Sequence, residues 1–374
     1  MTLLEVRNLR LRFDSENGPL QVLDEISFKL EAGETLAMVG ESGSGKSLTA
    51  LTLMGLLPPQ AIIETGEVLL NGRNLLMLTA RQWRSVRGRE LAMVYQDATA
   101  ALHPLLTIGE QLAEAILAHR KESRSEVRRA CAKALGEVGI AAPEERLDAY
   151  PHELSGGMRQ RAVIAMALLA QPKVLIADEP TTAVDVTQQA QILELLELLR
   201  TKYSMAVLLI THDLGVVARA AQKVAVIYAG RTVELASTHE LFRSPLHPYT
   251  VGLLRSAPSA AAESSLPTAS QTNVQGPTRL FSIPGNAPNP ARMPVGCAFH
   301  PRCPFEVQRC TRERPELKPW RVETPGKLHT GLVTTMSRRA ACFEQERVAA
   351  AGVVGRTGWR ELETLWLAKM ESRT

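Results

Sequence analysis

The sequence predicts an α/β protein built on a largely parallel sheet with helices on its faces. Two observations carry that prediction. Three short buried-type runs, Thr35–Val39, residues 174–177 and Ala206–Ile210, each end at a cluster of glycine or polar residues. Segments of helical period stand between them. A short apolar run bounded by turn residues fits a strand covered on both faces, and strand–helix alternation lays such strands parallel. At 374 residues the chain exceeds one compact domain, so a large domain with a smaller appended one is expected.

Residues 3–11 alternate apolar and polar positions (Leu4, Val6, Leu9), as a half-buried strand does, and 21–30 repeat the pattern with Val22, Leu23, Ile26 and Phe28. The run Thr35–Val39 leads through a glycine-rich loop into an apolar-periodic helix over 47–57. Residues 110–139 read as helical and strongly polar, a separate lobe inserted into the sheet domain. A long helix is expected over 159–169, and another over 188–200 with Ile192, Leu193, Leu195, Leu196, Leu198 and Leu199. Residues 256–275 are rich in Ala, Ser, Pro and Thr and read as a linker. Residues 276–344 are rich in Pro and Arg and hold four of the five cysteines. In the tail, Trp359, Leu362, Leu365, Trp366 and Met370 share one helical face. The expected division is thus 1–255, with a helical subdomain at about 97–170, then the linker, a small cysteine-containing domain at 276–344, and a tail at 345–374.

Composition narrows the function. Hydrophobic residues are 45% and charged residues 22%, an ordinary globular balance. The net charge of +4, from 43 basic and 39 acidic residues, is too slight to argue for nucleic acid. No apolar run approaches the roughly 18 residues of a membrane span, and the N-terminal residues lack a signal core. A cytosolic protein is expected, with any membrane role peripheral.

Gly40-Glu41-Ser42-Gly43-Ser44-Gly45-Lys46-Ser47 matches the phosphate-cradling loop in every fixed position. Its glycines let backbone N–H groups curl around phosphates at the positive end of the following helix. Lys46 would reach the β- and γ-phosphates and the Ser47 hydroxyl a Mg²⁺ ion. The strand of 174–177 delivers Asp178 and Glu179 to its C-terminal end, where open parallel sheets bind ligands. Asp178 would hold Mg²⁺ and Glu179 would orient and deprotonate the attacking water. An acidic pair at a strand end is by itself equally a solvated turn; beside a phosphate loop it has a purpose. Leu154-Ser155-Gly156-Gly157-Met158 precedes a helix and forms a second glycine-bearing anion site with neither lysine nor magnesium ligand. Ser155 and Gly157 would then complete a site whose other half belongs to a second chain.

The order of these motifs resembles the nucleotide-binding domain of an ABC transporter, a P-loop NTPase fold with a helical subdomain, over residues 3–254. Residues 154–161 correspond to the ABC signature, with Met158 where glutamine is usual. The resemblance implies that ATP and Mg²⁺ are bound through Gly40, Ser42, Gly43, Ser44, Gly45, Lys46, Ser47, Asp178 and, across a dimer, Ser155, Gly156 and Gly157. It implies that Gln96 senses Mg²⁺ and the lytic water, that His212 contacts the γ-phosphate, that Asp185 lies in a loop crossing to the partner, and that Phe13 stacks on adenine. Asp97 stands where Glu is usual, and Val184 where Leu is. Tyr150-Pro151-His152-Glu153, Ser244-Pro245-Leu246-His247-Pro248-Tyr249-Thr250 and Gly296-Cys297 with His300-Pro301-Arg302-Cys303-Pro304 resemble the dipeptide, oligopeptide and nickel importer ATPases. That implies a second, different ATPase subunit, two membrane permeases, an extracytoplasmic binding protein, and a place on the cytoplasmic face of the membrane.

Cys297, Cys303, Cys310 and Cys342 are enough for a 4Fe–4S cluster or a tetrahedral zinc, but their spacing matches neither standard pattern. By spacing alone, free buried thiols compete evenly with metal ligation; the resemblance tips the expectation to iron–sulfur, with zinc second. Cys131 reads as a small core residue, and His247-Pro248-Tyr249 as a turn entering a helix. Two other functions compete with transport. A soluble ABC ATPase acting on DNA or ribosomes would be expected to carry a second phosphate loop or a long heptad insert, and neither is present. A redox regulator would use the cysteines.

Overall fold

The computed structural model describes residues 2–15, 18–182, 184–257, 281–320 and 338–352, together with Thr364 and Trp366. Most of the expected linker, Ala183 of the partner-crossing loop, and Trp359, Leu362, Leu365 and Met370 of the tail helix lie outside the described residues.

Two sheets form the body. The smaller is antiparallel, in the order β2 (Gly18–Glu31), β1 (Thr2–Ser15), β4 (Ala61–Leu70), β5 (Arg73–Asn74). Its apolar face, including Leu4, Leu11, Ile26 and Leu30, closes on helix α1 (Lys46–Met54) and one face of the larger sheet. The larger sheet contains, in spatial order, β9 (Lys223–Tyr228), β3 (Thr35–Val39), β8 (Ala206–Ile210), β7 (Val174–Asp178) and β6 (Leu91–Val94), all parallel. Strands β3, β7 and β8 are buried at every position, so they carry no polar alternation and read as continuous apolar runs. Strand β10 (Arg231–Ser237) adds to the edge antiparallel to β9.

The opposite face of that sheet is covered by a helical layer. Helices α4 (Ile108–Leu117) and α5 (Arg124–Glu137) pack with α7 (Gly156–Leu168) and α8 (Val186–Tyr203) around Leu112, Leu135, Ile164 and Ile192. The span read as one helical region over 110–139 is broken at Ser123, whose hydroxyl and Glu126 form a capping box that starts α5.

The C-terminal residues do not build a core of their own among the described residues. Phe299, Cys303, Phe305 and Val348 share one hydrophobic cluster with Val226, Tyr228, Leu241 and Tyr249 of the sheet domain. The short strand Arg339–Ala340 also pairs with β10. A cysteine sequence that spacing could not resolve is resolved by this packing, and the expected iron–sulfur cluster is overturned. Among the described residues no group of three or more His, Cys, Asp or Glu side chains could hold a metal ion, which removes zinc equally. Cys303 belongs to the apolar cluster, Cys297 and Cys342 pack against it, and Cys310 is buried. Burial raises the thiols of Cys297 and Cys303 and pushes Cys342 up to about 12, so the protonated form prevails.

Candidate functional site

The phosphate loop connects β3 to α1, and its shape is fixed by two close approaches. A Cβ on Gly40 would meet the carbonyl oxygen of Ile227 at 2.2 Å, and one on Gly45 would meet Leu23 Cδ2 at 2.6 Å. A side chain at Gly40 would have to displace the β9 backbone, whereas one at Gly45 would displace the tip of the Leu23 side chain. Gly45 also adopts φ 104° as the residue before α1, a conformation open to glycine. Lys46, the first residue of α1, is buried, and its ammonium donates to the carbonyls of Gly40 (2.8 Å) and Glu41 (2.9 Å). Burial lowers its pKa, opposed by Glu179, Asp178 and Glu41. Ser42, Gly43 and Ser47 are exposed, and Ser44 is buried with its hydroxyl unpartnered among the described residues.

Asp178 ends β7 at the same sheet edge. Its carboxylate is buried, accepts a hydrogen bond from Ser47, and leaves Oδ1 with no partner among the described residues. Burial raises its pKa. A buried, half-satisfied carboxylate beside an exposed hydroxyl suits a hard divalent cation, so the residues fit the implied Mg²⁺.

Glu179 is the centre of the cluster. It is a non-glycine residue at φ 47°, a sparsely populated conformation that turns its side chain out of the strand. Gln96 Nε2 donates to Glu179 Oε2 at 3.1 Å, Thr182 Oγ1 donates to the same oxygen at 2.8 Å, and His212 Nδ1 lies 3.1 Å from Oε1. Burial would raise the Glu179 pKa, but Thr182 and His212 outweigh it and hold the group ionised below its ordinary value. Asp97, next to Gln96, accepts from the N–H groups of Thr99 and Ala100 and caps a short helix. Asp caps a helix better than Glu would, which accounts for the residue found there.

Six expected residues (Lys46, Ser47, Gln96, Asp178, Glu179 and His212) therefore meet at one sheet edge. Others do not join them. Ser155 is the N-cap of α7, accepting from Met158 N at 3.3 Å, and Ser155 and Gly156 are exposed. Gly157 faces Gln188, so that a Cβ there would stand 2.3 Å from Gln188 Oε1. Asp185 caps α8 through Gln188 N at 2.8 Å. No hydrogen bond among the described residues links the Ser155 turn to the phosphate loop. Phe13 is half-buried against the antiparallel sheet, paired with Leu20 and Ala61, and is not among the residues lining the cleft beside the phosphate loop.

Two participants escape a reading of the sequence. Thr182 reaches Glu179 from three residues downstream, a local spacing that could have signalled it. Tyr249 lies in helix α11 (Pro248–Ser256), capped by His247 as expected of a turn entering a helix. Its hydroxyl accepts the Glu41 N–H at 2.7 Å, a contact with no sequence signal.

The likenesses to known proteins agree with this geometry. The sequence matches the "ABC transporter" family model over residues 23–182 and the "Oligopeptide/dipeptide transporter, C-terminal region" model over 233–310. It is 45% identical over 313 residues to the oligopeptide transport ATP-binding protein OppD of Salmonella typhimurium, covering 84% of this chain and 89% of that protein. It is 45% identical over 317 residues to the dipeptide transport ATP-binding protein DppD of Escherichia coli, covering 85% and 93%. Among solved structures it is similar to the dimeric post-hydrolysis state of the ATP-binding cassette MJ0796 bound to ADP and Pi. That likeness has a TM-score of 0.56 at 25% identity, over 63% of this chain and 99% of the other.

Proposed function

We propose, for a chain that belongs to the oligopeptide/dipeptide ABC transporter ATP-binding proteins, that it hydrolyses ATP to drive the import of di- or oligopeptides through two permeases. The observation that carries this is the convergence of Gln96, Thr182 and His212 on Glu179, beside Asp178, Ser47 and Lys46.

The phosphate loop seats the triphosphate, with Lys46 turned from its two backbone carbonyls to the β- and γ-phosphates. Asp178 and Ser47, with Gln96, would hold Mg²⁺, and the ion would supply positive charge beside the phosphates. Glu179, kept ionised, orients a water in line with the γ-phosphorus and accepts its proton as the water oxygen bonds to phosphorus and the bond to the β–γ bridging oxygen breaks. His212 contacts the γ-phosphate.

Among the described residues the Ser155 hydroxyl caps its own helix and no hydrogen bond joins this turn to the phosphate loop, which supports a sandwich in which Ser155, Gly156 and Gly157 close on the nucleotide of a second, paralogous subunit, with Asp185 at the crossing. On this reading residues 1–255 are the ATP-binding unit, 97–170 its permease-facing lobe and 276–344 an appended module. Differential affinity of the closed sandwich for ATP over ADP then drives alternation of the permeases. The chain works peripherally at the cytoplasmic membrane face; among the described residues no helix is long and apolar enough to cross a membrane.

The test is reconstitution with its permeases in liposomes. ATP turnover should rise when a peptide-loaded extracytoplasmic binding protein is added. Stimulation by DNA or ribosomes, with none by peptide, would sink the reading.

A further inference from the structure

The His300-Pro301-Arg302-Cys303-Pro304 segment has no part in the chemistry above, yet Arg302 is the most elaborately satisfied cation among the described residues of the C-terminal region. Its side chain is 7% exposed, and its three guanidinium nitrogens make five hydrogen bonds. Nη1 and Nη2 grip the two carboxylate oxygens of Glu41 at 3.0 Å each. Nη1 also reaches Tyr228 Oη at 3.3 Å, Nη2 the Ile283 carbonyl at 3.4 Å, and Nε the Pro284 carbonyl at 3.0 Å. The guanidinium lies 5.8 Å from the ring centres of both Tyr228 and Phe299, and Trp366 Nε1 donates to the Arg302 carbonyl at 2.8 Å.

Glu41 is the second residue of the phosphate loop, 261 positions before Arg302. Its backbone is held as firmly as its side chain, since its N–H donates to Tyr249 and its carbonyl accepts from Lys46. A continuous set of polar contacts thus runs from the C-terminal segment through Glu41 to the ammonium that meets the phosphates. The same segment stands at the loop's mouth, where Pro288, Pro290 and Met293 face Ser42 and Gly43 across one cleft. A planar, bidentate fork fixes both distance and rotation of the carboxylate it holds, which an ammonium on a flexible stem does not.

We propose that Arg302 is a positioning residue for ATP binding: by clamping Glu41 it pre-organises the phosphate loop, making the C-terminal module a working part of the nucleotide site. This rests on the ATP-site reading above and adds to it a dependence of ATP affinity on a residue outside the sheet domain. The two partners act as one unit, so loss of either removes most of the effect.

The experiment measures equilibrium binding of a fluorescent ATP analogue, and steady-state ATPase kinetics, on the purified full chain below its melting temperature. Arg302→Ala should weaken binding about tenfold, appearing in KM more than in kcat. Arg302→Lys should not restore it. Glu41→Gln should weaken it several-fold, and the double variant should be no worse than Arg302→Ala alone. Lys46→Ala is the reference. If Lys46→Ala loses affinity while Arg302→Ala and Glu41→Gln retain it, the proposal is overturned and the ATP site stands; if Lys46→Ala also retains it, the site reading itself fails. A lower melting temperature with unchanged affinity would assign Arg302 a structural role only, against the proposal. Should Arg302→Ala fail to fold, Glu41→Gln, a partly exposed and isosteric change, decides the matter alone.

Discussion

Two glycine-bearing loops each open a helix in this protein, and they are finished to different degrees. The phosphate loop has its chemical groups assembled around it. Gly40 is required by the Ile227 carbonyl, the lysine is buried, and a magnesium-type carboxylate and an ionised glutamate stand beside it. The Ser155 turn has a capping serine and an exposed Gly156, where an added Cβ would meet nothing within 4 Å. Among the described residues no cationic or acidic side chain is hydrogen-bonded to the Ser155 hydroxyl. Both loops present helix N-termini to an anion. The difference teaches that a helix start supplies attraction, whereas chemistry requires the lysine and paired carboxylates that only a buried sheet edge assembles.

Several changes break or sharpen that contrast. Largest is Glu179→Gln, which removes the proton acceptor while keeping its shape; turnover should fall by about 10²–10⁴-fold with ATP still bound. Steady-state hydrolysis near the wild-type rate would remove Glu179 from the role of base. Next is Lys46→Ala, expected to weaken ATP binding on the order of 10²-fold in a titration of the isolated chain. Ser155→Ala should spare that same titration yet slow turnover of the assembled transporter roughly tenfold or more. If instead it weakens binding to the isolated chain, the two loops serve one protomer and the contrast dissolves.

The smallest effect concerns the support beneath the phosphate loop. Glu234 is fully buried, accepts from the N–H groups of Leu246 and His247 at 2.8 and 2.9 Å, and so fixes the start of the helix that brings Tyr249 to Glu41. Burial raises its pKa from 4.5 to about 7. Because the folded value is the higher one, its stabilising contribution is complete below pH 4.5 and is lost as pH rises through about 7. His247 acts in the other direction: burial holds it near 3 against an ordinary 6.5, so its contribution is lost as pH falls below 6.5. Urea unfolding of Glu234→Gln should therefore lack the part of the wild-type decline that falls between pH 4.5 and about 7. Parallel curves for the two proteins would show that Glu234 does not titrate there.

Much of the site is legible along the chain because its residues are bound to strand ends. A buried apolar run must stop somewhere, and Asp178, Glu179 and His212 follow such stops; strands β3 and β8 match their expected bounds to the residue for the same reason. The antiparallel pairing of β1 with β4 is not legible, since its register shifts near Arg7 and Leu11 interrupt the alternation of side chains. The cysteines mislead because the resemblance, not their spacing, carried the iron–sulfur expectation, and neither reports the packing around the thiols. Cys303 sits in an apolar cluster with Phe299 and Phe305, where a thiolate is penalised.

The sequence by itself determined the local objects: a loop that cradles phosphate, an acidic strand end, a serine-capped helix. Local objects are legible because glycine, proline and capping preferences act over a few residues. Only the tertiary structure decided that Arg302 closes on Glu41 and that Thr182, Gln96 and His212 share one carboxylate. Those contacts join residues as far as 261 positions apart, and no pattern along the chain encodes which distant side chains a packed core brings within hydrogen-bond reach.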